Sequence, residues 1–215
     1  MRLTRALGCP VAALTLVAAF LPGAARASAR PALSYGLLTT ADLPKGYVAF
    51  RPTHKPYDKA SSPRCAALLD ELDFSKPRRK GVEYASTAFT KGQFGPWITE
   101  TLRRYPSAHA AKKDLDGALK TLSGCSSFRI AYSGKKPAEI TMTIQPIAMP
   151  KVGGQSRAVW ITVSDGSWAY GEVLVLARTG DVMMILGQLA FKAPSPQTAD
   201  GIAARAARKM GAVAD

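Results

Sequence analysis

The stretch Ser107–Cys125, SAHAAKKDLDGALKTLSGC, decides how the rest of the chain can be arranged. Ser107 is a typical N-cap residue of an α-helix. Apolar residues then recur at the spacing of one helix face, at Ala111, Leu115, Ala118, Leu119 and Leu122. Lysines and Asp116 fill the opposite face, and Gly124 is a typical helix stop. The pattern predicts an amphipathic helix that carries Cys125 to the start of a run of strands.

The N-terminus has the features of a secretory signal peptide. Arg2 and Arg5 precede the apolar run Val11–Leu21, and small residues follow it up to Ala29. The run is shorter than the ~20 residues that cross a bilayer, and no later stretch approaches that length. Cys9 comes before the run, whereas a lipid-anchored cysteine follows it. We therefore expect a cleaved signal peptide over residues 1–29, secretion to the extracellular space, and neither a lipid anchor nor a transmembrane helix.

Cleavage after residue 29 leaves two cysteines, Cys65 and Cys125. Two cysteines in an oxidising compartment are expected to form a disulfide bond. The alternative is a pair of buried free thiols.

Beyond Cys125 the hydrophobic pattern changes to a period of two residues. The segments between the candidate strands contain turn residues, such as Gly153-Gly154, Asp165-Gly166 and Thr179-Gly180. The pattern predicts an antiparallel β-meander with strands at Phe128–Ser133, Glu139–Met149, Ser156–Ser164, Trp168–Arg178 and Asp181–Phe191.

Helices and a hairpin flank this meander. A short helix is predicted from Ser62-Pro63, with Cys65 on its apolar face. The strands Val82–Thr90 and Pro96–Tyr105 form a predicted hairpin before the central helix, and a final helix with an alanine-rich face begins at Ser195-Pro196. No internal repeat and no long linker interrupts the chain, so we expect a single domain over residues 30–215.

The turns of the last two hairpins fix a register for their three strands. One sheet face then carries Trp168, Tyr170, Glu172, Leu174 and Leu176, flanked by Val159, Ile161 and Val163 on one side and by Met183, Ile185, Gly187, Leu189 and Phe191 on the other. The opposite face is rich in alanine and glycine. Both faces are apolar, so both should be covered. We expect the final helix on the alanine-rich face, and a thicker cover or a cavity on the aromatic face.

Glu172 is the discordant residue on the aromatic face. A buried, unpaired carboxylate costs several kcal/mol, so Glu172 must reach a partner, water or a polar spot in a pocket. One interpretation is an ion pair with a structural arginine at the sheet edge. The other is a ligand pocket formed with Trp168 and Tyr170, and these three side chains are our candidate ligand-binding residues.

The formal net charge of +14 favours anionic surroundings; the alternative is a solvated basic surface that keeps a secreted protein soluble. The basic segment KPRRK is a candidate polyanion patch through Lys76, Arg78, Arg79 and Lys80, for an anionic cell-wall polymer or lipid surface. The alternative is a solvated connector. No nucleic-acid-binding motif is present, and secretion argues against that partner.

Signals for catalysis are weak. The sequence contains no G-x-S-x-G, H-E-x-x-H, P-loop or G-x-G-x-x-G motif. His54 and His109 have no cysteine or carboxylate at metal-ligand spacing. We therefore expect a protein without catalytic residues, metal or cofactor. We also expect the protein to be a monomer.

The order of segments resembles a known family. LLTTADLPKGY at residues 37–47, CAALLDEL at 65–72, a hairpin, and SAHAAKKDLDGALKTLSGCSSF at 107–128 are similar to the PknH-type extracellular sensor domain, in a free-standing secreted form. The resemblance implies an α+β fold with helices on an antiparallel sheet, a cleft for an unidentified ligand, and no catalysis. Family members commonly have a second disulfide, for which this chain lacks the cysteines.

Three functional hypotheses follow. The first is a secreted, non-catalytic ligand-binding or sensor-like domain that takes a small or extended extracellular ligand. The second is a basic structural or adhesive protein of the cell envelope. The third is a secreted hydrolase of unknown specificity.

Overall fold

The computed structural model describes residues 30–52, 59–72, 79–132, 138–191 and 196–215. These ranges contain the α-helices α1 Pro63–Leu72, α2 Ala108–Leu122 and α3 Pro196–Gly211. Their strands are β1 Val48–Ala49, β2 Lys59–Ala60, β3 Glu83–Thr90, β4 Trp97–Arg104, β5 Ser127–Tyr132, β6 Ala138–Ile147, β7 Gln155–Ser164, β8 Ala169–Thr179 and β9 Val182–Ala190. Two short 3₁₀ helices, Leu33–Gly36 and Thr40–Asp42, precede β1. The predicted signal peptide, residues 1–29, and His54 lie outside the described residues.

The described strands form one antiparallel sheet in the order β1-β3-β4-β9-β8-β7-β6-β5-β2. The prediction of an α+β fold with an antiparallel meander is confirmed, and the meander runs from β5 to β9. The sequence did not indicate that β4 pairs with β9 along its whole length, from Trp97↔Leu189 to Arg104↔Val182. Nor did it indicate β2, which pairs with β5. The upstream hairpin is therefore part of the same sheet as the meander.

The register of the last three strands is the predicted one. Glu172 of β8 lies opposite Ile161 of β7 and Leu189 of β9, and Leu174 lies opposite Gly187. The two faces of the sheet consequently have the composition that the alternation predicted.

α1 and α2 pack on one face. The buried side of α2 forms a single hydrophobic cluster with the sheet residues Leu174, Leu176, Met183 and Ile185. Ser107 caps the helix, since its hydroxyl accepts a hydrogen bond from the Ala110 N–H at 3.2 Å. The helix ends with Ser123 as its C-cap, one residue before the predicted stop at Gly124.

The predicted disulfide is confirmed. The Sγ atoms of Cys65 and Cys125 are 2.07 Å apart, and the bond joins the first turn of α1 to the segment that follows α2. Both cysteines belong to the hydrophobic cluster beneath the two helices.

α3 packs on the opposite face, as predicted. Its apolar side chains and the alanine-rich strand positions belong to one cluster, which includes Ala158, Val173, Val175, Ala177, Met184, Ala199, Ile202, Ala203, Ala206 and Met210. On the same face the ring of Trp160 occupies the space above Gly171, where a Cβ would lie 2.1 Å from the ring.

The segment before β1 also covers this face. Leu33, Leu37, Leu38 and Leu43 are buried in the α3 cluster. Asp42 holds the segment to α3, because it accepts a hydrogen bond from the Lys209 ammonium at 2.6 Å and its carbonyl accepts one from Arg205.

Glu100 of β4 lies fully buried beneath this segment. The Leu38 N–H donates a hydrogen bond to its Oε2 at 2.6 Å, and its Oε1 has no hydrogen-bond partner among the described residues. Burial raises the pKa of Glu100 from 4.5 to about 7. The Leu38 N–H and Lys209 act in the opposite direction, and Asp42 adds to the rise. The carboxyl group is therefore protonated in the folded protein under mildly acidic conditions.

Removing the disulfide should destabilise the fold. Because the bond closes a loop with a sequence separation of 60, its loss through Cys65→Ala and Cys125→Ala should cost about 4 kcal/mol in the chain-entropy model. Urea unfolding measures this cost. Reductant should lower the unfolding midpoint of the parent chain and leave that of the double variant unchanged; an equal response from both would contradict the prediction.

Glu100 should make the stability depend on pH. Between pH 4.5 and about 7 the folded state binds more protons than the unfolded state, so stability falls as pH rises through this window. The loss is about 3 kcal/mol for a shift of this size. We expect Glu100→Gln to abolish this part of the pH dependence in urea unfolding, whereas Glu139→Gln, at an exposed position of β6, should retain it. Identical profiles for the parent chain and Glu100→Gln would contradict this assignment.

Candidate ligand-binding cleft

Aromatic side chains collect at the end of the sheet that α1 and α2 leave open. Trp168 stacks on Tyr170, with ring centroids 5.5 Å apart and planes inclined by 6°. Tyr170 meets Phe191 edge to face at 6.3 Å. Phe191 in turn lies 6.0 Å from Trp97 and 6.4 Å from Phe94. We call these five side chains the aromatic cluster.

Strand ends and turns bring these five residues together. Trp168 directly precedes β8 and Tyr170 is the second residue of β8, so the two are two positions apart and point to the same face. Phe191 directly follows β9, and Trp97 begins β4 opposite Leu189. Phe94 lies in the turn between β3 and β4. The cluster therefore depends on β8, β9 and β4 being neighbours.

The cluster lines two adjoining grooves. The first has a volume of about 470 Å³ and is lined by Trp97, Trp168, Tyr170, Leu189 and Phe191. The second, of about 480 Å³, lies on the other side of Trp97 and Phe191 and includes Pro44, Tyr47, Lys91, Phe94 and Thr198 in its lining. Both volumes fall within the range of small-molecule sites. We call the first groove the cleft.

Glu172 lies at the middle of the sheet, since β8 is fifth in the order of the nine described strands. It is half-buried and points to the same face as Tyr170. A Cβ on Gly187 would lie 2.5 Å from the Glu172 Oε1 and 2.6 Å from the Thr99 Oγ1. The bare backbone of Gly187 therefore makes room for a carboxylate and a hydroxyl side by side, next to the Leu189 that lines the cleft.

The structure places two of the three predicted ligand-binding residues in the lining of the cleft. Trp168 and Tyr170 line the cleft and Glu172 lies on the next inward-facing position of the same strand. Sequence reasoning missed Trp97, Thr99 and Phe94. The stretch Phe94-Gly95-Pro96-Trp97 offered a signal, because two aromatic residues flank a turn, but it does not say which strand lies beside them.

The predicted polyanion patch lies elsewhere. The Arg79 guanidinium forms ion pairs with Glu71 of α1 and Asp114 of α2, and Asp114 also accepts a hydrogen bond from Tyr105. Lys80 is exposed, and Lys76 and Arg78 lie outside the described residues. Of the four residues of the predicted patch, Arg79 thus has its positive charge paired with carboxylates of the protein itself.

Two further properties concern the described ranges alone. They contain no group of three or more His, Cys, Asp or Glu residues placed to hold a metal ion. Their helices are all too short or too polar to cross a membrane.

The chain is thus an α+β domain in which helices cover both faces of an antiparallel sheet, with an aromatic cleft at one end. No family model matches the sequence, and no curated protein matches it. Among solved structures it is similar to the extracellular domain of PknH from Mycobacterium tuberculosis, with a TM-score of 0.61 and 13% sequence identity over 81% of this chain and 92% of that one. At this identity the likeness shows a shared fold.

Gly187 should be required for the Glu172 carboxylate to keep its place. A methyl group at position 187 collides with the Glu172 and Thr99 oxygens, so Gly187→Ala should cost about 1–2 kcal/mol in urea unfolding. In a Glu172→Ala background the cost should be smaller, because one of the two colliding groups is gone.

A matched control is Gly117→Ala in α2, where nothing lies within 4 Å of an added Cβ. It should stabilise the helix by roughly 0.5–1 kcal/mol. A Gly187→Ala cost that is the same with and without Glu172 would show that the carboxylate does not lie over Gly187.

Proposed function

We propose that this protein is an extracellular, non-catalytic binding domain of the sensor type, whose ligand occupies the cleft. The observation that carries the proposal is the grouping of exposed aromatic rings around a groove at one end of the sheet. Trp168 is 40% exposed and Phe191 is 49% exposed, although both are large and apolar. Soluble proteins rarely leave such side chains together in water unless the patch has a binding role.

The chemistry of the cleft favours a ligand with a flat or apolar body. Its walls are rings and the Leu189 side chain, which supply stacking and burial of apolar surface. The nearest polar groups of the same sheet face, the Glu172 carboxylate and the Thr99 hydroxyl, lie over Gly187, outside the lining of the cleft. Apolar walls with few polar groups are typical of sites where burial supplies affinity and polar contacts orient the ligand.

Two further considerations support an extracellular sensor-like role. The fold is that of an extracellular domain in a solved structure. The N-terminal sequence has the pattern of a signal peptide, and two cysteines form a disulfide, as oxidising compartments favour.

Attachment of the basic surface to an anionic cell-wall polymer is an alternative proposal, supported by the net charge of +14. It requires retention on isolated cell-wall material that falls steeply with added salt. Salt-insensitive retention would count against it.

Tryptophan fluorescence can test the cleft, because Trp97 and Trp168 line it while Trp160 packs on the other face. The probe is anilinonaphthalene sulfonate, an anionic aromatic dye that fluoresces in apolar sites. We expect the dye to quench these tryptophans on binding, and Tyr170→Ala to weaken binding about fivefold through lost stacking. Tyr35→Ala, at an exposed tyrosine of the first 3₁₀ helix, is the matched control and should change nothing.

Glu172→Gln separates a pocket role from a structural one. Loss of the negative charge should strengthen binding of the anionic dye while the melting temperature stays the same. A large fall in melting temperature without a change in dye binding would favour a structural ion pair. Equal dye binding by the parent chain and Tyr170→Ala would overturn the proposed cleft.

Native mass spectrometry of protein from its own culture medium would then look for a co-purifying ligand.

A further inference from the structure

We infer that the end of the sheet beyond the cleft is a docking surface for a lipid bilayer that contains anionic lipids. The surface consists of Val48, Phe94 and Phe191 with the lysines Lys45 and Lys91, and we call it the docking tip. The inference goes beyond the proposed function, because it needs no ligand in the cleft.

Exposed apolar side chains are concentrated at this end. In the described part of the chain the large exposed hydrophobic residues are Tyr35, Val48, Phe94, Trp168 and Phe191. Four of these five share one end of the sheet. Val48 pairs with Thr90 at the end of β3, Phe94 lies in the following turn, Phe191 follows β9, and Trp168 precedes β8. Such clustering is what an interaction surface requires.

The chemistry of the tip suits hydrocarbon better than a polar partner. Phe94 is 71% exposed and, like Phe191 beside it, has no group that can form a hydrogen bond. Recognition of a polysaccharide needs hydrogen-bonding groups beside the rings, whereas the acyl boundary of a bilayer rewards the burial of apolar rings alone. Trp168 and Tyr170 lie beside Phe191 in the aromatic cluster, and such amphipathic rings are enriched at the headgroup level of membranes.

The charge at the tip complements an anionic surface. The Lys91 ammonium lies 5.0 Å from the centre of the Tyr47 ring. The Cε atom of Lys91 also lies 3.9 Å from the position that a Cβ on Gly46 would occupy, and Gly46 follows Lys45 in the chain. Lys91 lines the second groove together with Phe94, and Lys45 is an exposed residue of the turn before β1, in a chain whose net charge is +14. Asp165, in the adjacent hairpin, has its carboxylate turned into its own turn, where it accepts hydrogen bonds from Ser167 and Trp168.

Cosedimentation with vesicles tests the inference. One set of vesicles contains phosphatidylcholine alone, and the other contains equal parts of phosphatidylcholine and phosphatidylglycerol. The parent chain should bind the mixed vesicles more tightly, and added salt should weaken this binding. Phe94→Ser and Phe191→Ser should each lower affinity about tenfold through lost apolar burial. Lys45→Gln and Lys91→Gln should each lower it about fivefold, on the mixed vesicles only.

Matched controls come from elsewhere on the surface. Tyr35→Ser replaces an exposed ring that lies outside the tip, and Lys113→Gln removes an exposed lysine of α2. Neither should change vesicle binding. All variants are produced as the secreted protein by one route, and circular dichroism verifies that each is folded.

Three results would overturn the inference. The first is absence of binding to mixed vesicles, and the second is equal loss of binding from the tip and control variants. The third is self-association without lipid that Phe94→Ser abolishes, which would make the tip an interface between two copies of the chain. Dye binding in the cleft is measured separately, and Lys45→Gln should leave it unchanged, so failure of the docking surface is distinguishable from failure of the proposed function.

Discussion

The pairing of β4 with β9 is the interaction on which the rest of the structure depends. It joins the hairpin that precedes α2 to the last strand of the meander, and so makes one sheet from two halves of the chain. The contact closes a long loop, which is entropically costly before the pairing forms. Without the pairing, Trp97 would have no place beside Phe191, and the cleft would not exist.

The open end of the sheet follows from the lengths of the elements. α2 has 15 residues and is about 22 Å long at the helical rise, whereas β8 has 11 residues and is about 36 Å long. A helix of this length cannot cover the strand from end to end. It covers the part around Leu174 and Leu176, and leaves the start of β8 to Trp168 and Tyr170. The cavity expected on the aromatic face is therefore a consequence of unequal element lengths.

Local patterns predicted what depends on local geometry. The turns Asp165-Gly166 and Thr179-Gly180 fixed the register of β7, β8 and β9, because a tight turn leaves few alternative pairings. The side of α2 that packs on the sheet followed from its spacing. The alternation of side chains along β4 is compatible with any partner strand, so it did not indicate β9. Trp97, Thr99 and Phe94 were missed for that reason. β2 is two residues long and has no period to recognise.

Polar side chains of β4 explain why only one end is closed. Glu100 accepts a hydrogen bond from Leu38 in the N-terminal segment, and Arg103 donates one to the Glu71 carbonyl of α1. Arg104 donates to the carbonyls of Pro31 and Val213 at 2.9 Å each. Apolar contacts are non-directional, so these bonds fix where each covering segment lies. They come from the middle and the second half of the strand. At its first residue, Trp97, the strand carries an aromatic ring instead, and there the sheet is left with the open cleft in which we propose that a ligand binds.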